Sequence, residues 1–243
     1  MELLVSNEHL IQSMKNAWGE WTGDIKFSDV KNKIEEKNTF DYDFENKTCA
    51  MVANSSILLN EEYGEFIDSH DYVVRMNLAR TEGFEKHVGS KTSFRFLAAK
   101  SFASLDLSRF SAYDINYLPS LKNEHFIIKN LQNWGACSRG TVRHLNNNNK
   151  ISYLTKDVEQ ECNKMINSEA STGLMSMWFF INFFDNINVF GFNHYSESLP
   201  NQHYFEKVEP LPNGSYLGFN HPFQSEKNIF KQVEKQGRIK IYE

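Results

Sequence analysis

Three cysteines, Cys49, Cys137 and Cys162, are an odd number for a disulfide framework and too scattered for a structural zinc site. No apolar run reaches bilayer-spanning length: the densest, "MSMWFFINFF" at 175–184, is about half of what a transmembrane helix requires. The first twenty residues carry early acids and lack the apolar core of a signal peptide. Neither a G-x-G-x-x-G nor a P-loop occurs, which removes the simplest dinucleotide and nucleoside-triphosphate readings. An excess of positive charge is missing too. With 26 basic and 31 acidic residues the net charge is −5, so no nucleic-acid partner held by phosphate neutralisation is expected. No internal repeat is visible.

What remains is an ordinary globular composition. Forty per cent of the 243 residues are hydrophobic, and 20 Phe, 10 Tyr and 4 Trp supply an aromatic core large enough to need no cross-links. Charge is unevenly spread. Residues 1–48 hold six basic against ten acidic side chains, whereas 72–109 hold seven cations (Arg75, Arg80, Lys86, Lys91, Arg95, Lys100, Arg109) against three anions. A locally positive segment in an acidic chain suits an anionic small ligand, and equally a solvated face.

Residues 1–40 read as amphipathic helix, with Leu3, Leu4, Leu10, Ile11, Met14, Trp18 and Trp21 at helical spacing. The acidic stretch at 41–47 divides an N-terminal helical segment (1–45) from the main domain (46–243). "TCAMVAN" (48–54) reads as a buried strand, 55–71 as a crossover, and "YVVRMN" (72–77) as a second strand, which makes the pair parallel. Further strands fit 92–98, 113–118, 125–129, 186–192 and the C-terminal "RIKIYE". Helices fit 157–166 and 171–184, the latter apolar nearly all round and therefore buried. The expected fold is α/β: a single Rossmann-like domain with a mostly parallel central sheet flanked by helices. Ligands of such sheets sit beyond the carboxyl ends of the strands, where Asn54 and Asn77 fall.

Several local patterns spell chemistry. Asp41-x-Asp43 has the form of a metal–nucleotide site but lies in an acidic segment before the first core strand, and reads as a solvated turn. Asp68, Ser69 and His70 are triad letters, yet consecutive residues cannot converge as nucleophile, base and orienter must. His194, His203 and His221 are spaced like no familiar ligand set, so no metal site is expected.

Four segments carry more together. "CAMVANSSILLNEEYGEFIDSHDYVVRMNLARTEGFEKHVGSKTSFRF" (49–96) resembles the large sialylmotif of the eukaryotic-type sialyltransferases, glycosyltransferase family 29. "STGLMSMWFFINFFDNINVFGF" (171–192) resembles the small motif, "HYFE" (203–206) the third, and His221-x4-Glu226 the very small one. The resemblance identifies the chain as a short, soluble, bacterial or viral-type member. It implies transfer of sialic acid, or the related Kdo, from its CMP-activated donor to a sugar hydroxyl of a glycan acceptor, with inversion and without metal or cofactor. Carried over by position, Asn54, Ser55 and Asn77 would hold donor phosphate or ribose, and Ser171, Thr172 and Gly173 would receive the nucleotide. His203 would face the phosphate, His221 would be the general base, and Glu226 would orient or polarise it. A CMP-sugar hydrolase and a non-catalytic nucleotide-sugar binding module are the rival readings.

Elementary chemistry is consistent with these roles. A monophosphate leaving group tolerates metal-free departure if amide donors and an imidazolium stabilise it. A helix N-terminus at Ser171 offers free N–H groups to a phosphate. An oxocarbenium-like transition state needs a base of near-neutral pKa for the acceptor hydroxyl. The chain also departs from the family pattern: Ala53, Ser56 and Ile57 replace two glycines and an asparagine, and Glu169 replaces a tyrosine. Phe184 stands where the family places the cysteine that bonds the large-motif cysteine, so Cys49 is left without that partner. With a glycosylation sequon on Asn54-Ser55-Ser56, this points to a cytoplasmic enzyme rather than a soluble fragment of a Golgi enzyme.

Overall fold

The computed structural model describes residues 2–16, 27–103, 121–130, 133–144, 148–192, 203–205 and 222–243. Seven strands form one all-parallel sheet: β1 (Cys49–Val52), β2 (Tyr72–Met76), β3 (Phe94–Ala98), β4 (His125–Lys129), β5 (Lys150–Tyr153), β6 (Ile187–Phe190) and β7 (Ile239–Tyr242), in the order β5-β4-β3-β2-β1-β6-β7. Strands covered on both faces read as continuous apolar runs, and all four residues of β1, "CAMV", are buried. The order reverses at β1, whose neighbours are β2 and β6. In open α/β sheets such a reversal is where ligands bind, outside the carboxyl ends of the strands.

Side-chain alternation divides the core into two layers. Cys49, Met51, Val74, Met76, Phe94, Phe96 and Ile127 face helices α7 (Lys156–Ile166), α8 (Thr172–Phe180) and α9 (Phe223–Lys235). On the opposite face, Ala50, Val52 and Val73 meet α3 (Gly64–Asp68) and α4 (Glu85–Val88), while Leu97, Phe126 and Ile128 meet α1 (Asn7–Asn16), α5 (Ala99–Phe102) and α6 (Trp134–Arg143). The product is a three-layer α/β fold, as expected.

The N-terminal segment differs from the sequence expectation. Helices α1 and α2 (Phe27–Lys37) fall within the expected run and residues 17–26, with Trp18 and Trp21, lie outside the described residues, whereas Leu3 and Leu4 precede α1 outside any helix: Leu4 bridges Leu154, and the Val5 N–H donates to the Tyr153 carbonyl at 2.8 Å. Leu10, Met14 and Ile34 are buried in the same cluster as β3, β4 and β5. Helices α6 and α9 and strand β5 were not anticipated, and the strand expected at 113–118 lies outside the described residues. Helix α8 is buried nearly all round, with Leu174 to Met177, Phe179 and Phe180 inaccessible.

Candidate functional site

The carboxyl ends of β1, β2, β4 and β6 share one edge with the N-terminus of α8. Asn54 follows β1 by two residues. It is 7% exposed, and its side-chain Oδ1 has no hydrogen-bond partner among the described residues. A buried, unmet acceptor calls for a further partner, such as a ligand or an ordered water. Ser55 turns back beside it, its Oγ accepting from the Ile57 N–H at 3.3 Å.

Asn77 follows β2 in a left-handed conformation (φ 48°), which asparagine tolerates better than most residues. Its carboxamide oxygen accepts from the Ala98 N–H at 3.2 Å, leaving its NH2 as the available donor. Arg95 holds the turn by donating to the Asn77 and Ala79 carbonyls, while a bidentate pair with Glu124, at 2.6 and 2.9 Å, compensates its buried charge. Two of the seven cations that suggested an anionic ligand are therefore internal braces. Arg95 is one. Arg75, fully buried, donates to the Lys91 and Val88 carbonyls and is the other.

Residues 203–205 are joined to the large-motif segment. His203 pairs with Ser55 through an antiparallel bridge, and the Tyr204 N–H donates to the Asn54 carbonyl at 2.9 Å. His203 is 4% exposed and stacks on Phe205. Asn54, Ser55 and His203 thus form one cluster, with Asn77 one strand away.

At the N-terminus of α8, Ser171 is the N-cap: its Oγ accepts from the Leu174 N–H at 3.1 Å. The same hydroxyl donates to Glu226 Oε2 at 2.6 Å, and the Ser171 N–H donates to Glu226 Oε1 at 2.7 Å. Both donors of Ser171 thus face inward. The N–H groups of Thr172 and Gly173 are the first-turn donors left for a ligand. A Cβ on Gly173 would come within 2.9 Å of Phe192 Cε1, so this glycine lets the helix approach the end of β6.

Glu226 is 2% exposed in the first turn of α9, with both carboxylate oxygens engaged by Ser171. Among the described residues its carboxylate meets the N-terminal turn of α8. His221, the expected base, lies outside the described residues, as does His194.

Sequence reasoning missed Lys129. This last residue of β4 is 3% exposed, and its ammonium donates to the Ala170 carbonyl at 3.2 Å. Burial pulls its pKa below the usual lysine range, opposed by the charges of Glu159, Glu169 and Glu226. Beside it, a cavity of about 540 Å³ is lined by Asn130, Glu159, Asn163, Lys164, Glu169 and Met175 among others. That cavity contains none of the proposed donor contacts. Amide, carboxylate and ammonium groups line it.

The other patterns dissolve. Asp68 accepts from the Ser90 and Lys91 N–H groups, Ser69 Oγ donates to the Phe66 carbonyl, and His70 sits between that carbonyl and the Asn188 carboxamide, so no triad forms. Asp41 and Asp43 are exposed. All three cysteines are free and buried, and Phe184 packs between Phe44 and Tyr72, with ring centroids at 4.9 and 5.8 Å. Among the described residues, no helix is long and apolar enough to cross a membrane.

An all-parallel sheet flanked by helices, its strand order reversing at β1, defines a Rossmann-like class of α/β protein. Comparison with known proteins narrows the class. The sequence profile of glycosyltransferase family 29 (sialyltransferase) matches residues 4–238, and the chain belongs to that family. It is 28% identical over 210 residues to CMP-N-acetylneuraminate-beta-galactosamide-alpha-2,3-sialyltransferase 2 of Mus musculus, covering 81% of this chain and 57% of the relative. It is 26% identical over 215 residues to the corresponding sialyltransferase 1 of Homo sapiens, covering 81% and 58%. The chain therefore spans little more than half the length of these relatives. A beta-1,6-galactosyltransferase of Arabidopsis thaliana is 56% identical over only 50 residues, 21% of this chain and 13% of the relative. A mammalian sialyltransferase crystal structure superposes over all of this chain and 90% of its own, with TM-score 0.64 at 22% identity. A second, in complex with Gal-beta-1-3GalNAc-ortho-nitrophenol, gives the same score at 21% identity. At that identity the likeness shows the fold.

Proposed function

We propose that this protein transfers sialic acid, or Kdo, from its CMP-activated form to a sugar hydroxyl, inverting the anomeric centre without a metal. What supports the reading is the carboxyl edge of the sheet, which carries the buried Asn54 acceptor with His203 bridged to Ser55, the Asn77 amide at the end of β2 and the open first turn of α8. Asn54 Oδ1 accepts from a ribose hydroxyl or the cytosine amine. The Asn77 NH2 and the N–H groups of Thr172 and Gly173 donate to phosphate or ribose oxygens, supported by the positive end of the α8 dipole. His203 stabilises the departing monophosphate, and His221 takes the proton of the acceptor hydroxyl as the carbon–oxygen bond forms. A base of this kind contributes on the order of 10²–10⁴-fold. The buried thiols, the phenylalanine at 184 and a sequon asparagine too buried to carry a glycan support a reducing, cytoplasmic setting.

The deciding experiment incubates the protein with CMP-sialic acid, CMP-Kdo or UDP-galactose and a panel of galactosides that includes Gal-β-1,3-GalNAc, and follows products by mass. Transfer from a CMP donor, undiminished by excess EDTA and lost in His221→Ala with CMP binding retained, is the expected result. CMP release that no acceptor accelerates or captures means a hydrolase, and tight CMP binding without turnover means a binding module. Transfer from UDP-galactose alone overturns the donor assignment.

A further inference from the structure

The carbonyl of Ala170 and the N–H of Ser171 belong to the same peptide group. Its oxygen accepts from the Lys129 ammonium at 3.2 Å, and its N–H donates to the Glu226 carboxylate at 2.7 Å. Both charged side chains are buried, at 3% and 2% exposure, and come from different elements, the end of β4 and the first turn of α9. The preceding N–H, that of Ala170, donates to Asn163 Oδ1 on α7 at 2.8 Å. Three separate elements therefore converge on a two-residue turn.

We infer that Lys129 and Glu226 are positioning residues that clamp the Ala170–Ser171 peptide from its two ends and so aim the free N–H groups of Thr172 and Gly173 at the nucleotide. This rests on the CMP reading of the site. A cation at the carbonyl and an anion at the N–H align with the peptide dipole, and in a low-dielectric setting each bond strengthens the other. Two desolvated charges that meet only through a peptide are a poor stability device, because burial costs about as much as their attraction returns. What they fix is direction: a planar peptide held at both ends cannot rotate, so the first turn of α8 cannot either. Lys129 has a second effect. Glu159, Glu169 and Glu226 act on the Lys129 ammonium, and without it their negative charge would oppose a phosphate.

The test combines Lys129→Gln, which keeps a hydrogen-bond donor but no charge, with Lys129→Arg, which keeps charge. CMP affinity is read by calorimetry, amide exchange at residues 171–173 by NMR, and folding by thermal melting. In the wild type, the Ser171 N–H is protected without ligand, whereas Thr172 and Gly173 gain protection only when CMP is added. In Lys129→Gln, Ser171 exchange accelerates and the CMP Kd rises, each roughly 10-fold, about the effect of one charge-assisted hydrogen bond; Lys129→Arg recovers part of both. An unprotected Ser171 in the wild type overturns the clamp even if the Gln variant fails to fold. A folded Gln variant whose CMP Kd stays within about 2-fold of wild type also refutes it. If the wild type binds no CMP, the functional proposal falls, and Ser171 exchange in Lys129→Gln still decides the clamp.

Discussion

Replacing Ser171 with alanine isolates the hinge of the site. The hydroxyl makes two hydrogen bonds: it accepts from the Leu174 N–H at 3.1 Å and donates to Glu226 at 2.6 Å. Losing an N-cap costs about 1 kcal/mol, within a range of about 0.5–2. Leaving a buried carboxylate short of one partner costs about 1–3 kcal/mol more. The Ser171 N–H stays with Glu226, so the pair is weakened rather than broken. Together these give a loss of about 2–4 kcal/mol. For a chain of this size that corresponds to a fall in Tm of roughly 5–15 °C, at about 2–4 °C per kcal/mol. Ser171→Thr keeps the hydroxyl and recovers most of the loss, and a double-mutant cycle of Ser171→Ala with Glu226→Gln gives a coupling of about 1–3 kcal/mol. Melting by circular dichroism, with urea unfolding as a check, measures each. A Ser171→Ala protein melting within about 2 °C of wild type, or a threonine variant as damaged as the alanine one, refutes an inward-facing hydroxyl.

Two further outcomes follow from the core. Cys49, Cys137 and Cys162 are buried, which pushes all three thiols up, so thiol reagents should not label the folded protein and dithiothreitol should leave its Tm unchanged. A disulfide contributing about 2–5 kcal/mol would instead show a reductant-induced drop of at least about 4 °C. His125 accepts or donates to Tyr42 and Ser152 hydroxyls at 2.9 Å, and burial, helped by the Lys150 ammonium, lowers its pKa to about 3. The unfolded chain, with a histidine pKa near 6.5, takes up a proton that the folded chain refuses. Stability is therefore full above that value and is lost as pH falls towards 3, by about 2 kcal/mol at pH 5. Tm should fall more steeply between pH 8 and 5 in the wild type than in His125→Asn; equal slopes would refute this account.

Apolar runs made β1, β2, β4, β6, β7 and α8 legible, because buried parallel strands and a fully covered helix have little choice of composition. Leu3 and Leu4 misled, since two adjacent leucines suit a helix face and an extended pair equally. Strand β5 escaped because "KISY" is short, half polar and at the sheet edge. Helix α6 carries two glycines, poor helix formers; a Cβ on Gly140 would lie 2.3 Å from the Phe102 ring, so packing overrides propensity there. The motif residues of the site could be named from sequence, but their partners could not. Lys129 closes an apolar strand and reads as a solvated end, whereas its carbonyl partner lies 41 residues away. Glu226 was found as a motif letter, and only the fold reveals that it faces Ser171.

The segments that resemble the four motifs are mechanically joined in the fold. Large and small motifs pair along the β1–β6 register, from Cys49 opposite Ile187 to Val52 opposite Phe190. The third motif is bonded to Asn54 and Ser55, and the very small motif grips Ser171. This network explains how the chain dispenses with the cross-link that its resemblance implies. Phe184 is 2% exposed and packs on Tyr72, which stands opposite Cys49 in the register, and on Phe44 and Phe180. Burying one such side chain contributes about 1.5–3 kcal/mol, and each well-placed aromatic pair about 0.5–1.5 more. With three such pairs the sum, roughly 3–7 kcal/mol, covers the roughly 2–5 kcal/mol a disulfide supplies. Aromatic packing holds the two segments together while Cys49 stays a free, buried thiol.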